Sequence, residues 1–365
     1  MFTRNKILIL NLGSTSVKGS VFELNLNQTK KICAFSYKLS EVSSIQAFIA
    51  SQLPEPSQFL AIAFRVVHGG KNFKNARFIN QEIIDGIIEA QKLAPLHNSM
   101  LLKWYNELKI FLPKDIKLIA CFDTSFFYDL PPISKTYPIS TDVLSKYQIE
   151  KLGFHGFAHQ SMLRQLNKIS CSKVITLQLG GGCSITASLN GKPLETSMGF
   201  TPLDGLMMAT RSGSIDPGII FYLIKKGLAP LEIENMLNHE SGLKGFLSTD
   251  DMQKIVAMNT DTSKFVLQLF CRNIAKFLGS YITLLGGVDV IVFGGGIGEN
   301  CVWVRKEVVS YLHYLGIYID ESQKNPKGES FYQISAYNSK AAIYIIKPDE
   351  ELEMVNEVKS LLMEN

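Results

Sequence analysis

The residues most suited to chemistry begin close to the N-terminus, in Asn11-Leu12-Gly13-Ser14-Thr15-Ser16-Val17-Lys18. Gly13 lets backbone approach a ligand, the three hydroxyls donate hydrogen bonds and Lys18 offers a point charge, a set that suits phosphate. Asn11 adds a carbonyl of the kind a hard cation accepts. The stretch is not a Walker A loop: the G-x-x-x-x-G-K-[ST] order is absent, and the run after the loop alternates like a strand instead of opening a helix. Taken alone it is also an ordinary N-terminal hairpin. The pattern recurs in Val174 to Leu189, VITLQLGGGCSITASL, with Leu179-Gly180 in register with Leu12-Gly13. Two hairpins of one design imply a duplicated α/β fold that holds a nucleotide between its halves.

Further chemistry-bearing residues lie where apolar runs end. Leu60 to Val67 closes on Arg65-Val66-Val67-His68-Gly69-Gly70, cations at a strand end, where a salt-bridged turn is the competing explanation. Leu118 to Phe122 is a short strand followed by Asp123, an acid that orients a metal-bound water or caps the next turn. His155 and His159 flank Gly156, and the glycines around them argue for a turn opening a helix over a zinc pair. Glu195 to Gly218 is polar, rich in Gly and Met and carries a single cation, Arg211, as functional loops in compact domains do. Val288 to Phe293 is a buried strand running into a glycine turn, Gly294 to Asn300, ahead of a helix that begins near Val302. In Leu93 to Asn98, Pro95 is expected to stop the preceding helix and start a loop. The acids of Pro348-Asp349-Glu350-Glu351 fit a first helical turn, which the helix dipole alone would explain.

These elements must be carried by a chain of 365 residues, which fits two domains of ordinary size. The 46% hydrophobic and 19% charged content is that of a globular protein with a sizeable interior. A net charge of +4, without runs of Lys and Arg interleaved with aromatics, argues against a nucleic-acid partner. The apolar region from Phe265 to Gly287 carries Arg272 and Lys276 and reads as a buried helix, so no membrane partner is expected. Six cysteines without a C-x-x-C pair suggest reduced thiols and a cytoplasmic setting.

Taken together, NLGSTSVK from Asn11, RVVHGG from Arg65, LAPLHN from Leu93, FDTSF from Phe122, GFHGFAH from Gly153, TSMGFTPLDGLMMATRSGSIDP from Thr196, GGIGEN from Gly295 and EEL from Glu350 resemble the acetate/propionate kinase family. The resemblance runs nearly end to end. It implies the duplicated actin-like ATPase fold, ribonuclease H-like in each half and shared with sugar kinases and heat-shock chaperones. Residues 1–148 with 352–365 would form domain I, and 149–351 the nucleotide-binding domain II. The activity implied is reversible phosphoryl transfer between ATP and acetate, giving ADP and acetyl phosphate, with Mg²⁺ or alternatively Mn²⁺, in a homodimer. Propionate as acceptor, or a non-catalytic nucleotide-binding relative, are the alternatives; a chaperone is disfavoured because little chain follows the last helix.

By resemblance, Arg65, Asp123, His155 and Arg211 are catalytic, and Arg65, Val67, Leu96, Phe154 and Pro202 bind the carboxylate and its methyl group. Ser14, Ser16, Lys18, Gly180, Gly181, Gly182, Asp250, Gly295, Gly296, Gly298 and Asn300 bind the nucleotide, and Asn11 and Glu350 hold the metal or its waters. The chain departs from the family pattern at Gly181, where Asn is usual, and at Gln178 and Phe64, where His is usual. Phe127 replaces a further His. Phe157-Ala158 and Pro348-Asp349 replace Thr-Ser and Thr-Asn.

Overall fold

The computed structural model describes residues 4–13, 16–24, 29–42, 44–52, 58–70, 73–91, 95–320 and 329–364, with side chains except at 52, 91 and 95–99. The chain divides into two compact units, Met1–Tyr128 with Asp349–Asn365, and Asp129–Pro348. Each is built on one six-stranded sheet.

In unit 1 the strands are β1 (Lys6–Leu12), β2 (Ser16–Leu24), β3 (Thr29–Lys38), β4 (Phe59–Val66), β5 (Arg77–Phe78) and β6 (Lys117–Phe122), in the order β3-β2-β1-β4-β6-β5. The first three form an antiparallel meander, and β4 and β6 add on in parallel. Unit 2 repeats the scheme with β7 (Lys173–Leu179), β8 (Cys183–Leu189), β9 (Lys192–Thr196), β10 (Val290–Gly294), β11 (Phe331–Gln333) and β12 (Ala342–Ile346), in the order β11-β12-β10-β7-β8-β9. Here too a meander, β7 to β9, is extended by two parallel strands, β10 and β12. This is the duplicated actin-like fold. The repeat extends to single residues: KILILNL in β1 and KVITLQL in β7 have the same succession of half-buried and buried positions, so Asn11 and Gln178 occupy equivalent places.

Central strands covered on both faces need continuous apolar runs, and Ile7 to Leu10 in β1 and Ile291 to Phe293 in β10 are fully buried. Phe122 stacks on Phe73 with ring centroids 4.6 Å apart in the core of unit 1. The C-terminal helix Glu350–Met363 returns to that core, buries Met354, Val355 and Val358, and packs on β1, β4 and β6. In unit 2 the long helix Asp261–Leu285 covers β7 and β8 through residues that include Phe270, Ile274 and Leu278.

Three expectations need correction. Residues 129–148 belong to unit 2, not to the N-terminal domain, because Ser134 Oγ donates to the Leu194 carbonyl, the Lys151 N–H to the Lys135 carbonyl and the Phe200 N–H to Tyr137 Oη. Pro95 opens the helix Pro95–Phe111 instead of starting a loop; its missing N–H and fixed φ suit a first helical position. The glycine stretch after β10 is not an open turn but a short helix of its own, Gly295–Asn300, preceding the helix Val302–Ser310.

Candidate active site

Unit 1 gathers a charged cluster at the ends of its parallel strands. β4 delivers Arg65, and Asp123 follows β6, which pairs with β4 and puts Cys121 opposite Arg65. Arg65 Nη2 donates to Asp123 Oδ2 at 3.1 Å, and Nη1 pairs with Glu350 Oε2 at 2.6 Å. The side chains of Arg65 and Asp123 are only 12% and 1% exposed. Burial alone would make the guanidinium easier to deprotonate, but the two carboxylates more than offset it and hold Arg65 firmly charged. Burial pushes Glu350 above the usual carboxylate range; Asp123 and Glu351 add to that, while Arg65 and Lys18 oppose it. Arg65 Nε is buried and meets no hydrogen-bond partner among the described residues, so one donor of the fork remains for a ligand oxygen.

The acids that open the C-terminal helix separate into distinct tasks. Asp349 is the cap, accepting from the Leu352 N–H at 3.0 Å. Glu350 reaches Arg65, and Glu351 accepts from Ser20 Oγ and pairs with Lys31. Two turns further on, Glu357 accepts from Ser125 Oγ at 2.8 Å, bracing the segment that carries Asp123. Of the other expected residues in unit 1, Asn11 is next to last in β1, in register with exposed Lys18, and Val67 is half-buried just after β4. Ser16 closes the hairpin turn, its carbonyl accepting from the Gly13 N–H at 2.8 Å. Ser14 and the side chain of Leu96 lie outside the described residues.

In unit 2 the turn between β7 and β8, Gly180 to Gly182, meets His155 and Arg211. A Cβ on Gly182 would lie 3.1 Å from both His155 Cε1 and Nε2 and 3.9 Å from Arg211 Nη1, so glycine is what lets the imidazole approach the turn. His155 caps the helix Gly156–Gln165 with φ 59°, a left-handed conformation uncommon outside glycine and one that often marks functional positions. Its Nδ1 lies 2.8 Å from Ser184 Oγ on β8. The half-buried Arg211 donates to the Pro202 carbonyl at 3.1 Å and touches Met208 Sδ at 3.9 Å, and no carboxylate pairs with it among the described residues. Burial makes that charge harder to keep. Phe154 is fully buried beside His155 in sequence, and Pro202 is half-buried.

The same turn adjoins the helix Gly295–Asn300. A Cβ on Gly295, at φ +77°, would lie 2.5 Å from the Leu179 carbonyl oxygen, and one on Gly298 3.7 Å from Leu179 Cβ. Gly181 and Gly296 are exposed, and nothing stands within 4 Å of a Cβ added to either, so backbone is open to a ligand there. Asn300 is occupied with the Gly296 carbonyl, and Asp250 is exposed next to Asp251, which caps the following helix. Sequence reasoning missed Ser184, Glu357 and Arg305. The last is a buried arginine that donates to the carbonyls of Gly298 and Glu299 at 2.8 and 2.9 Å and so fixes the end of the glycine helix.

The donor chemistry fits a hard divalent cation. Glu350 and Asn11 offer oxygens, and no group of three His, Cys, Asp or Glu suited to a metal occurs among the described residues. Oxygen donors of that kind are what Mg²⁺ takes, as one or two carboxylates beside waters and substrate phosphates. All six cysteines are free thiols, and no described helix is long and apolar enough to cross a membrane.

Comparison with known proteins places the chain in a family. The chain is 40% identical over 314 residues to an acetate kinase from Thermosipho africanus, covering 83% of this chain and 77% of that one. It is 34% identical to an acetate kinase from Acetivibrio thermocellus, over 98% of this chain and 99% of the other. Among solved structures, a propionate kinase from Francisella tularensis superposes with a TM-score of 0.84 at 35% identity, covering 97% and 98% of the two chains. The acetate kinase of Porphyromonas gingivalis gives 0.85 at 30% identity, over 98% of this chain and all of that one, at 100%. The acetokinase family profile matches residues 36–356, and the chain belongs to that family.

Proposed function

We propose that this protein is a short-chain carboxylate kinase that transfers the γ-phosphoryl group of ATP to acetate, reversibly, giving ADP and acetyl phosphate. The observation that carries the reading is Arg211: a half-buried guanidinium, lacking a carboxylate among the described residues, set beside an imidazole and a glycine turn. A cation kept from water without a counter-ion is costly unless an anion completes it. A transferring phosphoryl group is such an anion.

A carboxylate acceptor is already ionised at neutral pH, so the reaction needs no strong general base. What it needs is cationic stabilisation of an anion approaching a polyanion. Arg211 and the His155 Nε2–H serve the phosphoryl oxygens. Arg65, held by Asp123 and Glu350, keeps its Nε for the acceptor carboxylate. Val67, Leu96, Phe154 and Pro202 give the acyl methyl apolar contact. The open backbone of Gly180 to Gly182 and Gly295 to Gly298, with Ser14, Ser16, Lys18, Asp250 and Asn300, binds the nucleotide, glycine amides standing in at Gly181 for the family's Asn. Glu350 and Asn11 hold Mg²⁺ or its waters, and the ion when bound neutralises phosphate charge. Propionate stands second as acceptor, since a propionate kinase is among the structural relatives and an apolar pocket separates one methylene only weakly.

The helix Pro217–Lys225 supports a homodimer: none of its residues is buried, and Ile219, Phe221, Tyr222 and Ile224 are exposed. Free thiols suit a cytoplasmic setting.

The test is acyl phosphate trapped as hydroxamate, with ATP, Mg²⁺ and acetate, propionate or butyrate, against Arg211→Ala. Formation with acetate that disappears in the variant is expected. Nucleotide binding without product from any acid would refute the kinase in favour of a binding protein.

A further inference from the structure

Behind His155 lies a line of hydrogen bonds that none of the roles above uses. Ser184 Oγ is 2.8 Å from His155 Nδ1 and also 2.8 Å from His159 Nε2, and His159 Nδ1 is 2.7 Å from Thr176 Oγ1. His159, Ser184 and Thr176 are completely buried, the first within the helix that His155 caps, the others on neighbouring strands β8 and β7, where Ser184 pairs with Gln178 and Thr176 with Thr186.

We propose that Ser184 is the positioning residue of His155, and that through Ser184 the protonation of His155 is coupled to the tautomer of His159. The inference rests on the kinase reading for the role of His155, but the coupling itself does not.

A serine hydroxyl donates a single hydrogen bond and accepts others. Here both partners are ring nitrogens, so when both contacts are made one nitrogen carries a proton and gives it to Ser184, and the other is bare and receives the hydroxyl proton. His159 stays neutral, because full burial and the neighbouring His155 push its pKa far below the ordinary value; it holds one proton throughout. Three arrangements satisfy the line. In the first, Thr176 donates to His159 Nδ1, His159 Nε2–H to Ser184, and Ser184 to a bare His155 Nδ1, leaving the His155 proton on Nε2. In the second, His155 has taken up a proton and is charged at both nitrogens; its Nδ1–H donates to Ser184, Ser184 donates to His159 Nε2, and the His159 proton sits on Nδ1 against Thr176. These two differ by the one proton His155 gains and by the place of the proton on His159. In the third, the hydroxyls run as in the second but His155 is neutral, with its proton on Nδ1 and a bare Nε2 that has no hydrogen to offer an anion; coupling requires that neutral His155 take the first form instead.

In the first two Nδ1 of His155 is engaged and Nε2 carries a hydrogen on the side of Gly182 and Arg211, where an oxyanion would be met. Among the described residues, Arg211 and His159 are charged and titratable groups near that imidazole. Ser184 therefore engages Nδ1 in every arrangement, which leaves Nε2 as the nitrogen on the side of the turn.

The experiment is a ¹⁵N NMR titration of imidazole-labelled protein, in which six histidines give few enough signals to assign. In the unaltered chain, the His159 tautomer should change from Nε2–H to Nδ1–H with the same midpoint as the His155 titration. In Ser184→Ala, His159 should no longer follow, and neutral His155 should become a mixture of tautomers. With that variant the kcat for hydroxamate formation should fall roughly ten-fold while both KM values stay within about two-fold, and Ser184→Thr, which retains a hydroxyl, should recover most of it. A single His159 tautomer throughout the His155 titration, or coupling that survives in Ser184→Ala, would overturn the proposal. The NMR arm needs no turnover: coupling in a protein that makes no acyl phosphate would refute the kinase and leave the relay, and turnover without coupling would do the reverse. Were Ser184→Ala not to fold, the titration of the unaltered chain decides.

Discussion

Glu357 offers a quantitative test of how the Asp123 segment is held. Its carboxyl accepts from Ser125 Oγ, but its second oxygen is buried and meets no partner among the described residues. Burial pushes its pKa from 4.5 to about 7, with Glu353 and Asp123 adding to the rise and the Ser125 hydroxyl and the nearby Ala76 backbone N–H opposing it. Between those two values the folded chain binds a proton that the unfolded chain has released. The corresponding stability is fully present below about pH 4.5 and lost as pH rises through about 7. A rise of that size amounts to about 3 kcal/mol across the window. Glu357→Gln keeps an oxygen for Ser125 and cannot ionise. It should match the unaltered chain at pH 5 and exceed its stability by up to about 3 kcal/mol at pH 8.5. Unit 1 can be followed separately, because buried Trp104 lies in it and the second tryptophan, Trp303, lies in unit 2. Urea unfolding read from Trp104 fluorescence in a Trp303→Phe background gives the comparison at each pH. A difference between variant and parent that is the same at both pH values would refute the reasoning, as would a variant less stable at pH 8.5.

Two further outcomes follow from close contacts. Gly182→Ala sets a Cβ 3.1 Å from the His155 ring and should lower kcat roughly ten-fold by displacing it a few tenths of an ångström, with unfolding little changed; steady-state kinetics beside a melting curve check this. Arg305→Met removes both donors from the glycine helix and should cost about 2 kcal/mol of stability while raising the KM for ATP and leaving that for acetate, which denaturation and paired KM measurements resolve.

The duplication was legible because strand pattern and turn chemistry are local. Leu12-Gly13 and Leu179-Gly180 close strands with matching burial, as the repeat required. Arg65 stood out as a cation at the end of an apolar run and Arg211 as the one cation of a long irregular loop, whereas His155 was marked as catalytic only by the family resemblance. The glycine stretch at Gly295 misled because glycine usually ends helices, whereas here Arg305, further along the chain, secures the carbonyls of a short one. Residues 129–148 could not be assigned from sequence, because what ties them to unit 2 is a few side chain to backbone bonds with Leu194 and Phe200. Ser184 was invisible for a similar reason. A serine in a strand is unremarkable until the fold brings two imidazoles to the same hydroxyl.

The left-handed backbone at His155 also bears on which substitutions can be interpreted. A residue with a Cβ held at φ 59° costs about 1 kcal/mol or more, and Asn tolerates that conformation better than most. Alanine at 155 would therefore alter the entry to the helix as well as remove the imidazole, and its phenotype would mix the two. Asparagine retains the turn and forfeits only the ring, so it is the replacement whose lost turnover can be read as chemistry.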